Sequence, residues 1–130
     1  MEVGRDGWLI QEKALWSRRA PGLTCLSALS ASQHFGMEAV NNSKGCGGVM
    51  RVAPHAFFDS AFDLAAANAR LTHGHPTGYQ AAGIFADILE RLTADRCSLE
   101  RAVTESLAEN AERRAIAETT AIIERVLKLY

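Results

Sequence analysis

The stretch PTGYQAAGIFADILERL, residues 76–92, carries the clearest helix signal in this 130-residue chain. Thr77 and Gln80 stand three residues apart just before an apolar run, which is the spacing of a capping box. The apolar residues that follow recur at intervals that place them on one helical face: Phe85, Ile88, Leu89 and Leu92. The sequence therefore predicts an amphipathic helix that has Thr77 as its cap and buries this face.

Weaker signals of the same kind extend outward on both sides of this stretch. Apolar periodicity and cap residues predict five further helices. The first two cover 8–19 and the stretch from a Thr24 cap towards Phe35, with Gly36 as the stop. The other three cover 61–73 after a cap at Asp59 or Ser60, the stretch from a Ser98 cap through Leu107, and 116–130. No run alternates with period two, as a half-buried strand would. The predicted fold is all-α, in a single domain spanning residues 1–130.

Composition excludes several functional classes. Hydrophobic residues make up 48% of the chain, and the net charge is −1, so no basic surface for nucleic acid or for an anionic membrane is expected. No apolar run is long enough to cross a bilayer, and the first residues lack the apolar core of a signal peptide. Cys25, Cys46 and Cys97 lie far apart, which argues against a disulfide framework. A cytoplasmic protein is predicted.

Residues 41–54, NNSKGCGGVMRVAP, form the most unusual stretch. Three glycines fall between positions 45 and 48, but the order fits neither phosphate-binding motif G-x-x-x-x-G-K-[ST] nor G-x-G-x-x-G. A glycine-rich turn can still present successive N–H groups to an anion. Lys44 would add charge, and Asn42 and Ser43 would add donors. If a short helix begins at Gly48, its N-terminus would favour the same ligand. The structural alternative is a tight connection in which glycines permit close packing.

A second candidate stretch is THGHPTGY, residues 72–79. His73 and His75 could ligate a metal, but a site needs further ligands, and the remaining histidines are scattered. His73 could instead stabilise the end of the preceding helix, or form a polar wall for a ligand held by the glycines. Cys46 is a possible nucleophile beside Lys44, although no histidine paired with a carboxylate stands at a recognisable spacing to activate it.

Three stretches in order resemble the ADP-ribosylglycohydrolase family, which includes the dinitrogenase reductase-activating glycohydrolase. They are RRAPGLTCLSAL (18–29), NNSKGCGGVMRVAP (41–54) and ARLTHGHPTGYQAAG (69–83). The resemblance is good over residues 8–92 and looser beyond them. Leu23 departs from it, because the family tends to have asparagine there.

The resemblance implies an all-α orthogonal helical bundle that hydrolyses the N- or O-glycosidic bond between ADP-ribose and a protein side chain or small acceptor. It also implies two divalent cations, usually Mg²⁺ or Mn²⁺, and ADP-ribose or an ADP-ribosylated protein as the partner. The glycines would then let the backbone approach the ligand. Carried onto this sequence, the expected ADP-ribose pocket consists of Asn42, Ser43, Lys44, Gly45, Cys46, Gly47, Gly48 and His73.

The chain departs from the family pattern at the metal ligands. It contains no Asp-Asp pair and no Asp-x-Asp, whereas the family draws its ligands from a Thr-Asp-Asp-Thr-type and a Gly-Asp-x-Asp-type motif. No metal ligand is therefore predicted here, and no catalytic residue can be named. The expectation is a truncated, central piece of a family member that is inactive alone. The alternatives are a non-catalytic ADP-ribose- or nucleotide-binding module and a helical association domain that buries its truncated face against another copy.

Overall fold

A computed structural model describes residues 11–15, 22–94, 96–113 and 116–129. Within these residues the chain is helical and contains no strand, which confirms the predicted all-α class. The five α-helices are α1 (Leu23–Ala31), α2 (Ala61–Arg70), α3 (Pro76–Ala94), α4 (Leu99–Glu109) and α5 (Ala117–Leu127). Short 3₁₀ turns occupy Lys13–Leu15, Val49–Arg51 and Ala53–Phe57. None of the described helices is long and apolar enough to span a bilayer.

Helices α2 and α3 form the centre of the fold because small residues line their contact. Alanines of both helices are completely buried there: Ala61, Ala65, Ala69, Ala82 and Ala86. Gly83 of α3 makes room for Phe62 of α2, since a Cβ at Gly83 would lie 2.8 Å from Cζ of that ring. The small side chains at these positions let the two helix backbones approach closely.

A second apolar cluster attaches α4 and α5 to this pair. Its buried members are Phe62, Ala66, Ile84, Val103, Leu107 and Ile116. An ion-pair group supports the contact between α3 and α4. Arg91 lies 3.3 Å from an Asp87 carboxylate oxygen and 2.6 Å from one of Glu109. Asn110 Nδ2 also donates to Asp87, at 3.1 Å.

The start of α3 differs from the predicted capping box. The helix begins at Pro76, whose fixed φ suits the first helical position and whose missing N–H costs nothing there. His75 then performs the capping, because its Nδ1 accepts a hydrogen bond from the Thr77 backbone N–H at 3.1 Å. The Thr77 hydroxyl instead donates to Glu118 of α5 at 2.6 Å. The prediction of Thr77 as the cap was therefore wrong.

The other helix ends agree only in part with the sequence. The predicted Ser98 cap is confirmed, since its hydroxyl accepts from the Arg101 N–H at 3.3 Å. Ser60 occupies the cap position of α2 but has a left-handed φ of 64° and makes no side-chain cap bond. Helix α1 ends at Ala31 rather than near Phe35, and Gly36 lies in a turn beyond it with φ of 80°. The predicted helix over 8–19 lies largely outside the described residues.

Candidate ligand site at the glycine loop

The glycine loop, residues 42–48, rests directly on the imidazole of His73. That ring is only 1% exposed and lies at the turn between α2 and α3. A Cβ at Gly47 would lie 3.1 Å from Cε1 of the ring, and a Cβ at Gly45 would lie 3.3 Å from Nε2. Both distances are shorter than ordinary van der Waals contact, so a side chain at either position would press on the ring. The glycines bring the loop backbone against His73.

Two further glycine contacts hold the same loop against α2 and α3. A Cβ at Gly48 would lie 2.9 Å from Cβ of Ala69. A Cβ at Gly78, in the first turn of α3, would lie 2.6 Å from the Ser43 carbonyl oxygen. Close packing, which was the structural alternative for this stretch, is therefore part of what the glycines do. Close packing is not the whole role of Gly45 and Gly47, because these two residues also line a cavity.

The cavity lies between α1, the glycine loop and the end of α2, with a volume of about 510 Å³. Its lining is mostly apolar: Gly22, Thr24, Cys25, Leu29, Gly45, Cys46, Gly47, Met50, Arg51, Asn68, Leu71, Thr72 and His73. The structure thus brings together four of the eight residues that the sequence singled out. The other four, Asn42, Ser43, Lys44 and Gly48, belong to the loop but do not line this cavity.

Arg51 was not among the sequence-derived site residues, yet it joins more parts of the site than any of them. Its Nε and Nη2 donate to the side chain and the carbonyl of Asn68 at 2.7 and 2.8 Å. Nη2 also donates to the Thr72 hydroxyl at 2.7 Å, and Nη1 to the Gly47 carbonyl at 3.1 Å. The guanidinium therefore binds the loop to α2. Its one signal in the sequence is a single charge within an apolar run.

Asn41, just before the loop, was also missed by sequence reasoning. Its Nδ2 donates to the Thr72 carbonyl at 2.9 Å. Its Oδ1 accepts from the N–H groups of Ser43 at 3.0 Å and Gly74 at 2.9 Å. One side chain thus joins the start of the loop to the turn that carries His73. The neighbouring Asn42, which was predicted to be a ligand donor, is exposed.

The chain matches the family model of the ADP-ribosylglycohydrolases over residues 4–130. It belongs to the ADP-ribosylglycohydrolase family. No curated protein and no solved structure matches it significantly. Family membership confirms the resemblance that the three sequence stretches carried. It places the glycine loop and the His73 turn within a fold whose members act on ADP-ribosylated substrates.

Electrostatics at His73 favour the neutral ring. Burial lowers the pKa of His73 below its ordinary value, and the positive charge of Arg51 lowers it further. The nearby Ala69 carbonyl acts in the opposite direction but does not reverse the shift. Because histidine ordinarily titrates near pH 6.5, the imidazole is uncharged at neutral pH. In this member of the family, His73 therefore offers hydrogen bonds rather than positive charge.

Lys44 is occupied by an ion pair. Its Nζ lies 2.7 and 2.8 Å from the two carboxylate oxygens of Glu118 on α5. The hydrogen bonds from Lys44 and Thr77 lower the pKa of Glu118 below the ordinary range. The turn that follows Gly48 has only three residues, Val49–Arg51, too few for an appreciable helix dipole. Neither feature concentrates positive charge in the cavity.

The described residues do not fit the two cations that the family implies. No group of three or more histidine, cysteine, aspartate or glutamate side chains lies close enough there to hold a metal ion. Asp63 is paired with Arg113 at 2.6 Å, and Asp87 is shared by Arg91 and Asn110. Hard divalent cations need six or more oxygen ligands, several of them commonly carboxylates. The described part of the chain does not assemble such a set.

Proposed function

We propose that the cavity beside the glycine loop binds the ADP-ribose part of an ADP-ribosylated protein. The observation that carries this proposal is the position of Gly45 and Gly47, which line the cavity together with His73 and lie directly against its ring. A ligand in the cavity can approach the loop backbone without meeting a side chain there. The volume of about 510 Å³ falls within the range of small-molecule pockets, roughly 300–1,000 Å³.

The chemistry of the lining suits a nucleotide better than a simple anion. Leu29, Met50 and Leu71 supply apolar surface for a base or a sugar face. Polar residues such as Arg51, Thr72 and His73 also line the cavity, and a small number of placed polar groups orients a ligand while apolar contact contributes affinity. In this proposal Gly45, Cys46, Gly47 and His73 contact ADP-ribose, while Asn42, Ser43, Lys44 and Gly48 maintain the shape of the loop.

We also propose that this 130-residue chain, alone, binds ADP-ribose without hydrolysing its linkage to protein. The family resemblance implies a hydrolase that uses two divalent cations, but the described residues do not assemble the ligands for them. The described residues offer a cavity but assemble no cation site, which supports a binding role. Self-association and a cytoplasmic location remain predictions.

Calorimetric titration with ADP-ribose tests the binding proposal, with two variants at Gly47 and a control variant at Gly48. Gly47→Ala places a methyl group at the cavity wall, and Gly47→Val extends it further. Gly48→Ala places the same methyl group against Ala69 and away from the cavity. We expect weak saturable binding by the unaltered chain, a large loss in Gly47→Ala and no binding by Gly47→Val, while Gly48→Ala retains affinity in its folded fraction.

Helix content measured by circular dichroism provides the folded fraction of each variant. Equal affinities for ADP-ribose in Gly47→Val and the unaltered chain would leave the glycines with a packing role only. Absence of saturable binding by the unaltered chain would reject the proposed function itself.

A further inference from the structure

A continuous hydrogen-bonded series runs from Arg51 through Thr72 to the ring of His73. Arg51 Nη2 donates to the Thr72 hydroxyl at 2.7 Å. The same hydroxyl oxygen lies 2.8 Å from Nδ1 of His73. Thr72 is only 4% exposed and His73 1%, so water has little access to these contacts. Hydrogen bonds in such a setting are stronger than in water and polarise one another.

The placement of protons in this series follows from what each group can donate. A guanidinium donates only, so the Thr72 oxygen must be the acceptor from Arg51. The hydroxyl has one proton left to place. It can donate to Nδ1 of His73 at 2.8 Å, or to the Ala69 carbonyl at 3.4 Å. The first distance is in the ordinary range for a hydroxyl donor and the second is beyond it.

The Ala69 carbonyl is also already engaged. It accepts the backbone N–H of His73 at 2.9 Å and that of Thr72 at 3.1 Å. Protonation of Nδ1 would require the Thr72 oxygen to accept from both the ring and Arg51, leaving its own proton only the long contact to Ala69. With Nδ1 as acceptor, the Thr72 hydroxyl places its proton at 2.8 Å from a partner rather than at 3.4 Å.

We propose that Arg51, acting through Thr72, holds His73 in the neutral tautomer that carries its proton on Nε2. Resting on the proposed function, this gives His73 a defined part in ligand recognition: an N–H donor for an oxygen of ADP-ribose. Nε2 is the ring nitrogen nearest the loop, since a Cβ added at either Gly45 or Gly47 would lie 3.3 Å from it. Arg51 and Thr72 are then positioning residues, and the ring cannot accept a proton at Nε2.

The lowered pKa of His73 agrees with this assignment, because burial and the Arg51 charge both disfavour the imidazolium. The orientation also has a consequence for selectivity. A ring fixed as a donor favours ligands that present an acceptor at that point and disfavours those that present a donor, which would leave two donors facing each other.

Long-range ¹H–¹⁵N NMR of the unaltered chain near neutral pH, without ligand, tests the tautomer directly. The His73 signals are assigned by their loss in His73→Gln. We expect a protonated, pyrrole-type Nε2 and an unprotonated, pyridine-type Nδ1. A protonated Nδ1, or an imidazolium, would overturn the proposal. This measurement needs no ADP-ribose, so it is decided separately from the proposed function.

The positioning role is tested by Thr72→Val, which removes the hydroxyl at nearly constant shape, and by Thr72→Ser, which keeps it. In Thr72→Val we expect the preference for the Nε2–H tautomer to be lost and ADP-ribose affinity to fall about tenfold. Thr72→Ser should retain the tautomer and bind within about twofold of the unaltered chain. If Thr72→Val is poorly folded, the tautomer of His73 is measured by the same ¹⁵N NMR experiment in Arg51→Gln. An unchanged tautomer in a folded variant would show that the series does not set it.

Discussion

Lys44 of the glycine loop and Glu118 of α5 are joined by two hydrogen bonds, of 2.7 and 2.8 Å, across 74 residues of sequence. Thr77, in the first turn of α3, donates to the same carboxylate at 2.6 Å. Glu118 thus connects the loop, α3 and α5 at one point. The contact accounts for the position of Lys44, which points its charge at α5 and away from the lining of the cavity.

Glu118→Gln is expected to alter the acid side of the stability profile. A carboxyl whose pKa is lowered by folding stabilises the protein above its unfolded pKa, about 4.3, and this contribution is lost as pH falls through the lower folded pKa. The bond from Lys44 and then that from Thr77 lower the pKa of Glu118. Urea midpoints measured from neutral to acidic pH should therefore fall less steeply in the variant than in the unaltered chain.

The control for this prediction is Glu124→Gln, which removes an exposed carboxylate from the same helix. Both partners of the Lys44–Glu118 pair are about half exposed, at 48% and 47%, so the effect should be small and should shrink with added salt. Superimposable acid profiles for Glu118→Gln and the unaltered chain would show that the ion pair does not contribute.

Gly74→Ala should be strongly destabilising. Gly74 lies between the His73 turn and the segment that enters the loop, and an added Cβ would overlap the Asn41 carbonyl oxygen and lie 2.5 Å from that of Ala39. Because these are backbone atoms, relief requires a shift of the chain, and we expect a loss of about 2 kcal/mol or more. Gly22→Ala is the matched control, since its Cβ meets nothing within 4 Å. Thermal unfolding of both variants gives the comparison, and equal midpoints would contradict the prediction.

The sequence predicted what depends on local pattern. It predicted the helical periodicity, the Ser98 cap and the importance of the glycine loop and His73, because each depends on residues a few positions apart. The Thr77 cap failed because two local rules competed there, and the preference of proline for the first helical position prevailed.

The sequence could not predict the roles of Arg51 and Asn41 or the ion pair of Lys44, for a different reason. The partners of Arg51 are Asn68 on α2, 17 residues away, and Thr72 just beyond that helix, 21 residues away. Asn41 bonds to groups 31 and 33 residues away. Such contacts are set by the packing of α2 against α3, and no spacing in the sequence encodes them.

Arg91→Met is expected to weaken the attachment of α4 to α3. The Arg91 and Asp87 side chains are only 13% and 12% exposed, so removing the arginine leaves a largely buried carboxylate that still accepts a hydrogen bond from Asn110. Breaking a buried pair in this way costs about 3 kcal/mol. Arg101→Met, which disrupts an exposed pair with Glu105, should cost less than about 1 kcal/mol. Urea denaturation separates the two, and similar losses would contradict the prediction.

The purified 130-residue chain is expected to release no ADP-ribose from a modified protein, with or without Mg²⁺ or Mn²⁺. The sequence has neither an Asp-Asp pair nor an Asp-x-Asp, and in the described part of the chain no three potential ligands gather at one point. Two of the aspartates are already in ion pairs, with Arg113 and Arg91. Since each 1.36 kcal/mol of lost transition-state stabilisation is tenfold in rate, absence of a cation site should reduce turnover by many powers of ten.

Two measurements check this expectation independently. Chromatography of the reaction mixture follows free ADP-ribose, and calorimetry with MnCl₂ alone reports whether the chain binds the cation at all. The expected result is no release above the uncatalysed rate and no saturable Mn²⁺ binding, alongside retained affinity for ADP-ribose. Metal-stimulated release that disappears on adding a chelator would show that residues of this chain do assemble a cation site, and it would convert the proposed binding role into a catalytic one.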